Sequence, residues 1–190
     1  MLASPLISRL RAVLVATIFV GIAFLSGCAA KVSDYEGESP QLDLREYFNG
    51  PVRAWGMVQD RNGKVLRRFE VEMDGRWEGD TGVVEEDFTF NDGETQRRVW
   101  TFRRIDDGRY TGTADDVVGE ATGEIYGNAL RWQYVLEIEV DGRSWNINFD
   151  DWMYLLDAQT LFNRTVMKKF GLRVGEVTLF FLKQPAVRGG

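Results

Sequence analysis

The chain is 190 residues long, carries 23 lysines and arginines against 29 aspartates and glutamates, and has one cysteine and no histidine. The net charge of −6 argues against nucleic acid as a partner and against binding anionic lipid heads by bulk attraction. Without histidine there is no Ser-His-Asp triad and no imidazole metal site, and a lone cysteine forms no disulfide within the chain. Any chemistry has to run on carboxylates, hydroxyls, lysine or arginine.

Arg9 and Arg11 stand at the head of an uncharged apolar run, residues 12–25. A membrane-spanning helix needs roughly 20 apolar residues. The run is too short to span and reads as the hydrophobic region of a secretory signal. It ends in Leu25-Ser26-Gly27-Cys28, the pattern of a bacterial lipobox, in which the signal (1–27) is cut away and Cys28 becomes the lipidated N-terminus. Two or more acyl chains, at roughly 0.8 kcal/mol per buried CH₂, make such an attachment to a membrane stable. In diderm lipoproteins an aspartate after the cysteine retains the protein in the inner membrane. By similarity to that rule, Ala29 favours the outer membrane and a domain facing the periplasm. Cleavage removes Arg9 and Arg11 and no acid, which leaves the mature chain at −8.

Residues 28–40 read as the lipidated cysteine and a polar tether. The start of the following domain, 41–49, reads as a turn of helix or a segment packing on that domain, which extends over 41–190. From Pro51 on, apolar alternation is punctuated by Asn62-Gly63, Asp74-Gly75, Asp92-Gly93, Asp107-Gly108, Gly127-Asn128 and Asp141-Gly142. Such dipeptides supply the positive φ that tight hairpins need. Within 128–140, Leu130, Trp132, Tyr134, Leu136, Ile138 and Val140 share one face, and Arg131, Gln133, Glu137 and Glu139 share the other. That is the pattern of a strand with one wet face. Across Asp141-Gly142, Trp145, Ile147, Phe149, Met153 and Leu155 take the inward side. Val65, Phe69, Val71 and Met73 agree, as do Val84, Phe88 and Phe90, and then Trp100 and Phe102.

Closing successive antiparallel strands removes their exposed edges, so the expected fold is all-β, a single up-and-down barrel of about 8–10 strands. Its architecture is lipocalin-like. The stretch 157–170 fits either a strand pair around an Asp157-Ala158-Gln159-Thr160 turn or one short helix capped by Thr160. Gly112, Gly119, Gly123 and Gly127 lack the spacing and the lysine of a phosphate-binding loop, and read as bends or close approaches in curved strands.

Charge on faces that otherwise read as core marks the candidate site. Arg67 shares a face with Val65 and Phe69, and Glu86 with Val84 and Phe88; Arg98 and Arg104 flank Trp100 and Phe102, and Asp151 lies between Phe149 and Met153. A buried charge is costly unless paired. These residues therefore form a structural ion-pair network, reach solvent at strand ends, or line a wet lumen. In the last case an arginine meets the carboxylate or phosphate head of an amphipathic ligand, with Trp100, Trp132 and Trp145 as aromatic wall. Trp152 and Tyr154 fall on the opposite face and read as a surface contact, a membrane-proximal rim or a bulge. Asp115-Asp116 and Asp150-Asp151 follow no calcium-loop pattern and read as turn or solvated acids.

At Ala54-Trp55-Gly56, Asp60-Arg61, Asp115-Asp116-Val117-Val118-Gly119, Asp151-Trp152-Met153, Asn163-Arg164 and Lys169-Phe170-Gly171, the chain resembles the DUF3833 family of bacterial proteins. The resemblance covers nearly the whole mature chain and its lipobox. It implies a lipoprotein but no activity, so no catalytic residues carry over.

The expected function is non-enzymatic: an outer-membrane-anchored periplasmic lipoprotein whose barrel binds a fatty acid or other small amphipathic molecule, without cofactor or metal. One alternative is an envelope scaffold with a filled barrel and a working outer surface near Trp152. Another is an enzyme acting on lipid through a carboxylate pair such as Glu86 and Asp151.

Overall fold

The structure, a computed structural model, describes residues 29–140 and 142–185. The expected signal segment (1–27) and Cys28, the expected lipidation site, lie outside the described residues. Among those described, the alternating runs form ten strands: β1 (Gly50–Asp60), β2 (Val65–Glu78), β3 (Thr81–Phe90), β4 (Thr95–Asp106), β5 (Arg109–Thr113), β6 (Ala121–Tyr126), β7 (Ala129–Val140), β8 (Arg143–Leu155), β9 (Thr160–Lys169) and β10 (Leu172–Lys183). Each pairs antiparallel with its sequence neighbours, and β1 pairs with β10, so the sheet closes. This is the up-and-down, lipocalin-like barrel that the alternation predicts. No described helix is long and apolar enough to cross a membrane.

Of the two readings of 157–170 the turn and strand hold, and one other local expectation changes. The helix considered for 157–170 is strand β9, because the Asp157 carboxylate accepts from the backbone N–H groups of Gln159 and Thr160, both at 2.8 Å, and so builds a tight turn. Asp74-Gly75 is not a turn either. β2 runs through it to a turn at Gly79 and Asp80. Gly75 answers a different need: a Cβ there would lie 1.7 Å from the Phe48 carbonyl oxygen.

That contact belongs to the floor of the barrel. The short helix α1 (Leu44–Tyr47) is capped by Asp43, whose side chain accepts from the Arg45 N–H at 2.7 Å. At its other end Lys183 Nζ donates to the carbonyls of Glu46, Tyr47 and Asn49 at 2.5, 2.7 and 3.0 Å. With its backbone groups satisfied, the segment buries Leu42, Leu44, Tyr47 and Phe48 against Val52, Val71 and Phe181. The polar segment read as a tether carries from Val32 on a 3-10 turn (Val32–Tyr35) in which Val32 is buried. The Tyr35 ring packs on Trp152 and Tyr154, with centroids 6.1 and 5.4 Å away. The unit from Val32 on thus holds the closed sheet, its floor and its core, and has what it needs to fold by itself.

The hairpin ends at 61–64, 91–94, 142 and 170–171 gather at the end opposite this floor. β5 and β6 have 5 and 6 residues where β4 and β7 have 12 each, so they stop short of that end. The loop 114–120 runs along β7 there, with the Val118 N–H donating to the Val135 carbonyl at 2.8 Å and the Glu137 N–H to the Asp116 carbonyl at 2.9 Å.

Candidate functional site

The inward side chains do not meet at the centre of the barrel. They enclose a cavity of about 450 Å³, within the few-hundred-Å³ range of small-ligand pockets. It rises from a floor that includes Leu44, Phe48 and Phe181 to a mouth that includes Leu66, Arg67, Gln96 and Ile138. The barrel is therefore not filled. Its wall is largely apolar and aromatic. Trp100 meets Trp132 and Tyr134 edge-on, with centroids at 5.8 and 5.4 Å. The Trp132 indole lies flat against the sheet because Gly112 and Gly123 leave room; a Cβ on either would come within 2.8 or 2.2 Å of it. The close-approach reading of these glycines is right.

Two polar groups interrupt the apolar wall. On one side Glu86 and Arg98 stand opposite each other on β3 and β4, with Nη1 to Oε2 at 3.7 Å. Arg98 also grips Asp116 from the loop, through Nε at 3.0 Å and Nη2 at 2.6 Å. Burial works against the Arg98 charge, but the Asp116 hydrogen bonds and the Glu86 carboxylate hold it above its usual value. On the other side, across β7, β8 and β9, the Tyr134 hydroxyl donates to Asp151 Oδ2 at 3.1 Å. The Thr165 hydroxyl donates to Asn163 Oδ1 at 3.1 Å, and Thr165 is the cross-strand partner of Asp151. Burial pushes the carboxyls of both Glu86 and Asp151 up to about 7. Asp151 Oδ1 and Asn163 Nδ2 are buried without a partner. A group so orphaned costs about 1–3 kcal/mol.

Of the residues expected at the site, Arg67, Glu86, Arg98, Trp100, Trp132 and Asp151 line the cavity. Arg67 sits at the mouth over the Phe90 ring, 3.6 Å from its centroid, and grips Asp92 and Glu94 at 2.8 and 2.6 Å. Arg104 does not line it: this residue lies near the closed end of β4 and pairs with Asp107 and, at 3.6 Å, with Asp80. Trp145 is also absent from the wall. Its alternation points inward, but β8 has passed the mouth there, and the ring is 36% exposed under Lys169 Nζ at 4.0 Å. Period-2 patterning gives a residue's face and not its height along the barrel. Of the alternatives for these charges, ion pairs within the chain are what form: acids hold Arg67, Arg98 and Arg104. Trp152 and Tyr154 are on the outer face, beside Tyr35. Asn163, Thr165, Tyr134 and Asp116 complete the site. Reading Leu161, Asn163, Thr165 and Met167 as one inward row of a strand would have found two of them.

The fold is similar to that of solved structures. An S-type phycobiliprotein lyase, CPES, from Guillardia theta matches with a TM-score of 0.53 and 7% identity, covering 76% of this chain and 94% of that one. EF1p2_mFAP2b, solved bound to DFHBI, matches with a TM-score of 0.41 and 9% identity, covering 73% and 95%. Likeness at such identities is a likeness of fold alone. No curated protein matches the sequence. A family model described as "Protein of unknown function (DUF3833)" matches residues 22–183, from within the apolar N-terminal run to the last residue of β10. The chain belongs to the DUF3833 family.

Proposed function

We propose that the barrel binds one small amphipathic molecule in its lumen, and that a lipid on Cys28 holds it at the outer membrane, facing the periplasm. The observation that carries the binding reading is the cavity of about 450 Å³, with orphaned Asp151 Oδ1 and Asn163 Nδ2 in a largely apolar wall. Burying a chain of methylenes there is favourable at about 25 cal/mol per Å² of apolar surface. An anionic head is disfavoured, because Glu86 and Asp151 face the lumen and the arginine charges are taken. A hydroxyl both donates and accepts, and so fits Asp151 in either protonation state beside Asn163. A fatty alcohol, or a fatty acid in its protonated form, has this chemistry. The phycobiliprotein lyase lends a fold to compare and no activity.

Native mass spectrometry of the chain from Ala29 on, purified from a bacterial envelope fraction and followed by solvent extraction, tests the reading. A stoichiometric lipid supports it. An apo mass that takes up neither added hexadecanol nor palmitic acid refutes it. Incorporation of labelled palmitate into the full chain, lost in Cys28→Ser, tests the anchor.

A second reading has one observation in its favour. Glu86 and Asp151 share one cavity and are both pushed up to about 7, where a carboxyl can take and give a proton at neutral pH. An acid–base enzyme acting on the bound lipid would lose turnover, and keep binding, in Glu86→Gln and Asp151→Asn. Unchanged turnover in both removes this reading.

A further inference from the structure

The β9–β10 hairpin turns through Phe170 and Gly171, with φ of 50° and 78°, between the paired residues Lys169 and Leu172. Two successive left-handed residues suit Asn, Asp or Gly, and a bulky side chain is disfavoured at the first of them. Among the described residues Phe170 gains little burial for this conformation: it is 88% exposed, and Leu172 after it is 73% exposed. Scattered apolar residues on a surface need no account, but a cluster around an opening does. On the neighbouring β7–β8 hairpin, Val140 and Trp145 are also exposed, and Lys169 Nζ lies over both the Trp145 and the Phe170 rings, at 4.0 and 5.1 Å. Leu66 adds another exposed apolar side chain to the rim of the same cavity.

Charge distinguishes this hairpin from the one ending at Asp92-Gly93-Glu94 on the same rim. Between Asp157 and Glu176 the sequence has no acid, and it has Arg164, Lys168, Lys169 and Arg173, within a chain whose net charge is −6. Glu176 takes both arginines, at 2.7 and 2.9 Å, whereas Lys168 is only 4.0 Å from Asp150 and Lys169 Nζ donates to the Asn146 carbonyl at 3.4 Å, so the two lysines are the cations nearest the tip. Aromatic tips flanked by lysines suit the headgroup region of a bilayer, where rings sit among the acyl ends and the ammonium groups reach anionic phosphates.

We infer that the mouth of the barrel docks on an anionic phospholipid bilayer, with Phe170 and Leu172 entering the interface and Lys168 and Lys169 contacting the headgroups. Docked so, the apolar rim joins the bilayer to the lumen, and an apolar ligand passes between them without crossing water. The docking stands on the hairpin and holds whatever the lumen carries.

The test is vesicle co-sedimentation of the unlipidated chain from Ala29 on, with phosphatidylglycerol–phosphatidylethanolamine vesicles against phosphatidylcholine vesicles. The chain is expected to bind the anionic vesicles preferentially, and less in high salt. Phe170→Asn is expected to keep or raise the melting temperature, since asparagine accepts the left-handed turn, while weakening vesicle affinity about tenfold or more. Lys168→Gln with Lys169→Gln is expected to remove the preference for phosphatidylglycerol. Absence of vesicle binding overturns the inference, as does undiminished binding in both Phe170→Asn and Leu172→Ser. Self-association without vesicles that Phe170→Asn abolishes also overturns it, by making the tip a contact between copies of the chain.

Discussion

Arg98 Nη2 lies 2.6 Å from Asp116 Oδ2, and this contact ties β4 to the 114–120 loop beyond the ends of the short strands β5 and β6. Removing one partner of a buried pair leaves the other charged and poorly solvated, which costs about 3–5 kcal/mol. Asp116→Ala is expected to lower stability by about 3 kcal/mol in urea titration, because Glu86 at 3.7 Å compensates in part. Arg98→Met with Asp116→Leu should lose less than the two single variants together. Parent-like stability in Asp116→Ala would transfer the support of Arg98 to Glu86.

The buried carboxyls give the barrel a pH dependence of definite sign. Glu86 and Asp151 are pushed up to about 7 in the folded chain, above the ordinary range of about 4 in the unfolded one. The folded state thus binds more protons. The stability these groups contribute is fully present below about pH 4 and is lost as the pH rises through 7. Asp151→Asn cannot ionise, and is expected to be more stable than the parent by on the order of 2 kcal/mol at about pH 8.5, with the gain gone near pH 4. Denaturant titrations at both pH values check this; an equal difference at the two rejects it.

Gly75 is where the floor docks on the sheet. A Cβ there would lie 1.7 Å from the Phe48 carbonyl oxygen, which is backbone and cannot rotate aside. Gly75→Ala should displace the floor at a cost of roughly 3 kcal/mol. A thermal melt followed by circular dichroism reads the loss; an unchanged melting temperature would mean that the floor slides freely.

Asn163 is fully buried, and its Nδ2 has no partner. Asn163 Oδ1 accepts from the Thr165 hydroxyl, so Asn163→Leu alone would orphan that donor; Asn163→Leu with Thr165→Val removes both partners and the unpaired Nδ2 together, and should raise stability by about 1 kcal/mol. The same change should weaken hexadecanol binding by calorimetry and leave binding of an alkane unaffected. Equal affinity for hexadecanol in both proteins would remove Asn163 from the head site.

Much of the barrel is legible along the chain. Leu130, Trp132, Tyr134, Leu136 and Ile138 alternate with polar residues, and Gly63, Gly93 and Gly108 mark turns that do adopt positive φ. Asp74-Gly75 has the same dipeptide signature and lies within a strand, because the reason for that glycine is Phe48, a residue far off in sequence. Arg104 and Trp145 share the inward alternation of true cavity residues and fall below the floor and beyond the mouth.

By itself, then, the sequence determined the all-β class, the strands, the face each residue presents and the family. These follow from period-2 patterning, local turns and motifs that need no partner to be recognised. The tertiary structure alone decided that the lumen is hollow, that Arg98 is engaged by Asp116, that Asn163 Nδ2 is left without a partner, and that Phe170 stands at the mouth. The volume inside a closed sheet, the counter-ion of a buried charge and the neighbours of a hairpin tip all depend on residues distant in the chain, and these meet only when β1 pairs with β10.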